Sequence, residues 1–217
     1  MPQKKNPDFA EVIQLSIEIN NWTGGGFDPA CGRMTQEWRA AKSRSTSPRN
    51  WSAHVAEHGP GASRLHLKGD RIVFAEPVPW LDFGGIGKGW AADEALRALE
   101  QAGVTRALVD LGGELAIGAP PPGAKGWAVK GPAGIELFLH NCGVATSGAG
   151  EQHLQVEGQF ASHVLDPRSG HWLGQHVDVT VVAPSAAVAD ALASAGCVLG
   201  ADELRRSVAG DGLIILD

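Results

Sequence analysis

LDFGGIGKGWAADEAL, residues 81–96, sets an acid, four glycines and a lysine directly before an amphipathic run. In AADEALRALEQAG, Ala91, Ala95, Leu96, Leu99 and Ala102 share one face and Gly103 supplies a stop, so a helix follows the glycines, beginning near Trp90. Backbone N–H groups at a helix start, with a lysine beside them, form a ready anion site. The same glycines also suit a plain tight turn with a solvated lysine. Spacing excludes two familiar phosphate loops. A P-loop needs glycine, four residues, then Gly-Lys-Ser/Thr, but Asp82 stands five before Gly87 and Lys88 is followed by Gly89. The dinucleotide fingerprint needs a strand-to-helix turn inside a βαβ unit with an acid roughly 20 residues on, and Gly84, Gly87 and Gly89 do not take that spacing.

Outward from this stretch the pattern is mixed. Upstream, residues 8–22 space Phe9, Val12, Ile13, Leu15, Ile17 and Ile19 at helical intervals, and the helix is expected to end near Asn20-Asn21. TGGGFDPACG, residues 23–32, reads as an irregular loop. Residues 40–63 are polar and rich in Ser, Pro and Gly, a loop with one short helix around Trp51 to His58. RLHLKGDRIVFAE alternates about Gly69-Asp70 as a β-hairpin does. Downstream, ALVDLGG, GWAVKG, IELFLH, HLQVEGQF and HVDVTVVAP each read as a strand, and GVATSGAG, residues 143–150, as a hydroxyl- and glycine-rich turn. PSAAVADALASAGCVLG is a second helix with Pro184 in its first turn, and GLIILD a last strand. Strands in hairpin succession with a few helices predict an α+β fold rather than a repeating βαβ sheet, in one domain over residues 1–217.

Bulk composition narrows the function. A formal charge of -6 and a pI near 5.7, with no basic run beyond Lys4-Lys5, argue against nucleic-acid binding. Cys31, Cys142 and Cys197 are far apart, which gives neither a CxxC pair nor a disulfide framework, and they read as small buried hydrophobes. No apolar stretch reaches the ~18 residues of a membrane span, and MPQKKNPDF carries no signal-peptide core. Glycine is common (29 residues), tyrosine is absent and tryptophan frequent (7), as suits tight turns and backbone approaches to something flat or anionic. Glycine richness alone also admits a nicotinamide oxidoreductase.

Three further clusters carry chemistry. Asp190 and Ser194 stand four apart on the second helix, hence on one face, among alanines that let other backbone approach. A carboxylate and a hydroxyl with carbonyls nearby suit Mg²⁺, whose other positions phosphate and water can take, although an acid in an alanine-rich helix is commonly a surface residue. In ASHVLDPRSG, residues 161–170, His163 follows a small hydroxyl residue and is a candidate general base or a structural histidine. His54 and His58 could share a helix face as metal ligands, but no third ligand is near and they read as surface histidines.

GGGFDP (24–29), DFGGIGKGWAAD (82–93), LVDLGGELAIG (108–118), VATSG (144–148), SHVLDPRSG (162–170) and VTVVAPSAAVADALASAGCVLG (179–200) occur in an order that resembles the successive motifs of the ApbE family, the FAD:protein FMN transferases. The resemblance implies a T-fold-like α+β domain with a mostly antiparallel sheet. It implies Mg²⁺-dependent transfer of FMN from FAD to a Ser/Thr hydroxyl of a target flavoprotein, with release of AMP. Asp82, Lys88 and Ser162 match FAD-contacting positions, and Gly85 matches a residue lending a carbonyl to the metal. Asp190 and Ser194 match the side-chain metal ligands, and His163 the base. Position 194 is Ser where the family usually has Thr, and Ala30 stands where Thr often follows GGxFDP. Only some 20 residues precede GGGFDP, against a long segment in typical members. The resemblance also admits an FAD pyrophosphatase giving FMN and AMP, as in some members of the family, and the shortening a non-catalytic flavin-binding module. The expected compartment is the cytoplasm if the chain is complete, and the periplasm, the family habit, if an export signal has been trimmed.

Overall fold

In the computed structural model, which describes residues 7–68, 71–76, 80–148, 153–156, 158–208 and 214–216, the chain opens with helix α1 (Pro7–Trp22), followed by α2 (Gly32–Arg44) and α3 (Ser52–His58). Strands β1 (Leu65–Lys68) and β2 (Arg71–Phe74) precede α4 (Gly87–Gln101). Then come β3 (Leu108–Leu111), β4 (Glu114–Ile117), β5 (Trp127–Lys130), β6 (Glu136–Leu139) and β7 (Cys142–Gly148). Two short pairs follow, β8 (His153–Val156) with β9 (Gln159–Ser162) and β10 (Leu165–Asp166) with β11 (His171–Trp172). The chain closes with β12 (Asp178–Ala183), α5 (Ala186–Leu199), α6 (Ala201–Ser207) and β13 (Ile214–Leu216). Contacts divide it into two units, Met1–Phe83 with Ala149–His176 and Gly84–Gly148 with Val177–Asp217, so the opening stretch joins one to the other.

In the first unit, α1 buries Val12, Ile13, Ser16 and Ile19, and Ser16 returns its hydroxyl to the Val12 carbonyl at 2.7 Å. The helix stops where Gly24 and Gly25 take positive φ, and the Thr23 N–H still reaches the Ile19 carbonyl. The following loop is irregular, as expected. Buried Asp28 ties it by accepting from the N–H of Ala30 at 2.7 Å and of Ala62 at 2.9 Å. Helix α2 was not expected: its buried side chains Met34, Trp38 and Ala41 are too few to stand out in a polar segment, and residues 40–44 belong to it rather than to a loop. Met34, Val55 and Leu165 make one small core, and Trp38, Ala41 and Leu154 another. The β1–β2 hairpin has the expected register, with its Gly69-Asp70 turn outside the described residues. HLQVEGQF, expected as one strand, is part of a hairpin in which Gly158 takes φ +78°.

The second unit is built on an antiparallel sheet in the order β13-β12-β7-β4-β3. Alternation along β4 sets its two faces: Ala116 packs with Ala92 of α4 and Ala186 of α5, while Ile117 joins Val144, Val182 and Val129 under the β5–β6 hairpin. The strand-and-helix composition is the expected α+β. GVATSGAG is corrected: residues 143–148 lie in β7, the middle strand, not in a turn. Its small residues are there for packing, since a Cβ on Gly143 would lie 2.0 Å from the Ala186 nitrogen and Thr146 shares a 2.8 Å hydrogen bond with Thr180. Strand β4 and helix α6 were not anticipated. Pro184 stands outside α5, whose N-cap is Ser185, its Oγ accepting from the Val188 N–H at 3.3 Å.

Candidate functional site

The second unit's chemistry gathers where α4 meets α5. Gly89 allows the approach, because a Cβ there would lie 2.2 Å from the Ala186 carbonyl oxygen. Asp93, one turn further along α4, accepts from the N–H groups of Ala186 at 2.9 Å and Ala187 at 2.8 Å, capping α5 from a neighbouring helix. Asp190 lies one turn inside α5, 5% exposed, and its Oδ2 accepts from the Gly89 N–H at 3.1 Å. Burial pushes its carboxyl up to about 6; the Gly89 hydrogen bond and Lys88 oppose this, while Glu114 adds to it. A buried carboxylate with so little compensation favours a cation beside it.

Lys88, in the first turn of α4, donates to Glu114 Oε1 at 2.5 Å. Glu114 opens β4 and is buried, and its Oε2 has no hydrogen-bond partner among the described residues. Glu114 is not among the site residues expected from the sequence, where its only signal is an acid directly after the Gly112-Gly113 pair in LVDLGGELAIG. Gly85 lies in the turn leading into α4, half-buried, and Ser194 is half-buried one turn beyond Asp190. No group of three or more His, Cys, Asp or Glu that could hold a metal occurs among the described residues. A cation at Asp190 would therefore draw on hydroxyl, carbonyl and ligand oxygens, which is how Mg²⁺ is commonly held beside phosphates.

The other expected site residues lie in the first unit. Asp82 precedes the glycines outside any helix or strand, its N–H donating to the Pro29 carbonyl at 2.8 Å. Its Oδ2 receives Thr35 Oγ1 at 2.5 Å and Arg39 Nη2 at 3.1 Å, so α2 orients this carboxylate. Ser162 is 1% exposed and its Oγ accepts from the Val164 N–H at 2.9 Å, which folds the backbone across His163. The His163 ring meets buried Trp38 edge-on, centroids 6.1 Å apart. His54 and His58 do share a helix face, rings 4.7 Å apart, with Trp51 edge-on against His54. The three cysteines are free, and burial raises each thiol, as suits inert small hydrophobes. The structure thus brings Lys88 and Asp190 together in one unit and places Asp82, Ser162 and His163 in the other.

The model of the ApbE family matches residues 1–214. The chain belongs to the ApbE family. Among relatives, the FAD:protein FMN transferase of Klebsiella pneumoniae (strain 342) is 28% identical over 222 residues, covering 95% of this ApbE chain and 63% of its own length. That of Chlamydia trachomatis serovar D is 32% identical over 194 residues, covering 86% and 61%. The chain therefore spans somewhat under two thirds of the length of these relatives. Among solved structures, the ApbE protein of Thermotoga maritima superposes with a TM-score of 0.80 at 27% identity, covering 98% of this chain and 73% of that one. The apo flavinyl transferase ApbE of Pseudomonas stutzeri gives 0.73 at 28% identity, covering 95% and 71%. These neighbours agree with the α+β ApbE fold.

Proposed function

We propose that this ApbE chain carries the machinery for Mg²⁺-dependent transfer of FMN from FAD to a Ser or Thr hydroxyl of a target flavoprotein, with AMP as the leaving product. The observation that carries the reading is the buried Asp190 carboxylate at the α4–α5 crossing, beside Lys88 and within an ApbE match of 214 residues. Its relatives are named FAD:protein FMN transferases, and that activity comes to this chain as part of the proposal.

Asp190, Ser194 and the Gly85 carbonyl supply the hard oxygen donors that suit Mg²⁺, together with phosphate and water. When bound, the cation would neutralise diphosphate charge and polarise the phosphorus under attack. Lys88, its side chain 55% exposed, binds diphosphate oxygens and stabilises charge developing on them. Asp82, held by Thr35 and Arg39, contacts the nucleotide as an oriented acceptor. Ser162 shapes the turn that presents His163. His163 takes the proton of the acceptor hydroxyl as its oxygen bonds to the FMN phosphorus, and the bond from that phosphorus to the bridging oxygen breaks, leaving that oxygen on AMP. Trp38 restricts the imidazole to the turn's geometry.

The test is incubation with FAD, Mg²⁺ and a protein bearing an acceptor Ser/Thr. A flavin-fluorescent band that survives denaturation, disappears with EDTA and is lost in Asp190→Ala supports the reading. FMN and AMP without a labelled acceptor would make the protein a hydrolase, and tight FAD binding with no AMP would make it a binding module.

A further inference from the structure

Glu114 has no part in the function proposed above, yet its surroundings are unusual for a merely structural acid. Its side chain is 5% exposed, Oε1 takes the Lys88 ammonium at 2.5 Å, and buried Oε2 has no hydrogen-bond partner among the described residues. A buried carboxylate is tolerated when it is paired, and removing one partner leaves an uncompensated charge. Lys88 is therefore not free to leave Glu114 for a phosphate unless another positive charge takes its place. The position that can supply one is close: Asp190 lies within electrostatic reach of both Glu114 and Lys88, and its Oδ2 is hydrogen-bonded to the residue after Lys88. The pair is also asymmetric. The lysine side chain is 55% exposed and flexible, so its head can exchange partners while the carboxylate stays in place.

Resting on the reading of Asp190 as a cation ligand and Lys88 as a phosphate ligand, we propose that Glu114 is a positioning residue that holds Lys88 in reserve. A divalent cation at Asp190 balances the buried carboxylates and lets the lysine pass from Glu114 to a nucleotide diphosphate. Cation and diphosphate then bind cooperatively through one shared ammonium group. Linkage requires the factor to be reciprocal: Mg²⁺ tightens the diphosphate as much as the diphosphate tightens Mg²⁺.

The test uses ADP, which carries the diphosphate but no flavin to transfer, titrated calorimetrically in EDTA and in Mg²⁺. Glu114→Gln releases Lys88 without a cation. ADP affinity in EDTA should then rise about tenfold, on the scale of one charge-assisted hydrogen bond, and the enhancement by Mg²⁺ should shrink by the same factor. The rise in EDTA should vanish when Lys88→Gln is added to the variant. A structural acid would instead give weaker binding by the same factor in both buffers, and that result overturns the proposal. If Glu114→Gln does not fold, acetic anhydride labelling of the wild-type protein, read by mass spectrometry, decides the matter. Lys88 acetylation should rise on adding Mg²⁺ alone, and an unchanged rate overturns the proposal. Absence of ADP binding in both buffers with FAD turnover intact overturns this inference alone. Absence of both ADP and FAD binding overturns the proposed function as well.

Discussion

Replacing Asp190 with Asn should make the metal-free protein more stable at pH 8 and remove its response to Mg²⁺. The fold raises this carboxyl from 3.8 to about 6, mainly through burial. At ~1.4 kcal/mol for each pKa unit, the ionised side chain costs the folded state ~3 kcal/mol at most. The sign follows from which state holds the proton more tightly, and here it is the fold. Between pH 4 and 6 the folded chain binds more protons than the unfolded one, so stability falls as pH rises, and above about 6 the full penalty remains. Asn keeps an oxygen to accept the Gly89 N–H but does not ionise. Urea unfolding in EDTA at pH 4, 6 and 8 should therefore show the wild type losing up to ~3 kcal/mol relative to Asp190→Asn across the range. Adding Mg²⁺ at about 100 times its Kd should restore ~2.7 kcal/mol to the wild type and nothing to the variant. Parallel stability profiles for the two proteins, or equal rescue by Mg²⁺, would show that Asp190 is neither strained by burial nor a cation ligand.

Other substitutions test the remaining parts. Gly89→Ala gains at most ~1 kcal/mol of helix propensity, but its Cβ would lie 2.2 Å from the Ala186 carbonyl oxygen, a backbone atom that cannot step aside alone. Net destabilisation of ~2 kcal/mol or more, with weaker Mg²⁺ binding, is expected in thermal unfolding and calorimetry. Asp93→Ala strips the acceptors from the Ala186 and Ala187 N–H groups and should cost ~1–2 kcal/mol in urea unfolding. His163→Gln should bind FAD as the wild type does while AMP release slows by ~100-fold or more; equal loss of binding would make the histidine structural. Ser194→Ala should weaken Mg²⁺ with little change of stability in EDTA, since its small hydroxyl is only half-buried.

The parts of the fold legible in the sequence were those with one strong local signal. Helices α1, α4 and α5 show apolar faces at helical spacing, and α1 and α4 end in glycines that take positive φ. The elements missed were those whose composition answers to neighbours distant in sequence. GVATSG resembles a turn because β7 must be small where α5 crosses it, and Gly143 has no room for a Cβ against Ala186. Helix α2 looks polar because three buried side chains suffice to seat it. Glu114 went unnoticed because nothing local marks an acid as buried; only the sheet and Lys88 do so.

LDFGGIGKGWAADEAL by itself determined a glycine turn into an amphipathic helix, with spacing that excludes two phosphate loops and agrees with the ApbE motif order. Periodicity and backbone permissiveness are local properties, and a sequence displays them directly. Tertiary structure alone decided what those glycines are for. Gly89 brings α4 onto α5, so that its N–H reaches Asp190 and Lys88 meets Glu114, and it is this burial that raises the Asp190 carboxyl. Burial and dielectric depend on which distant segments close over a residue, and no local stretch of sequence carries that information.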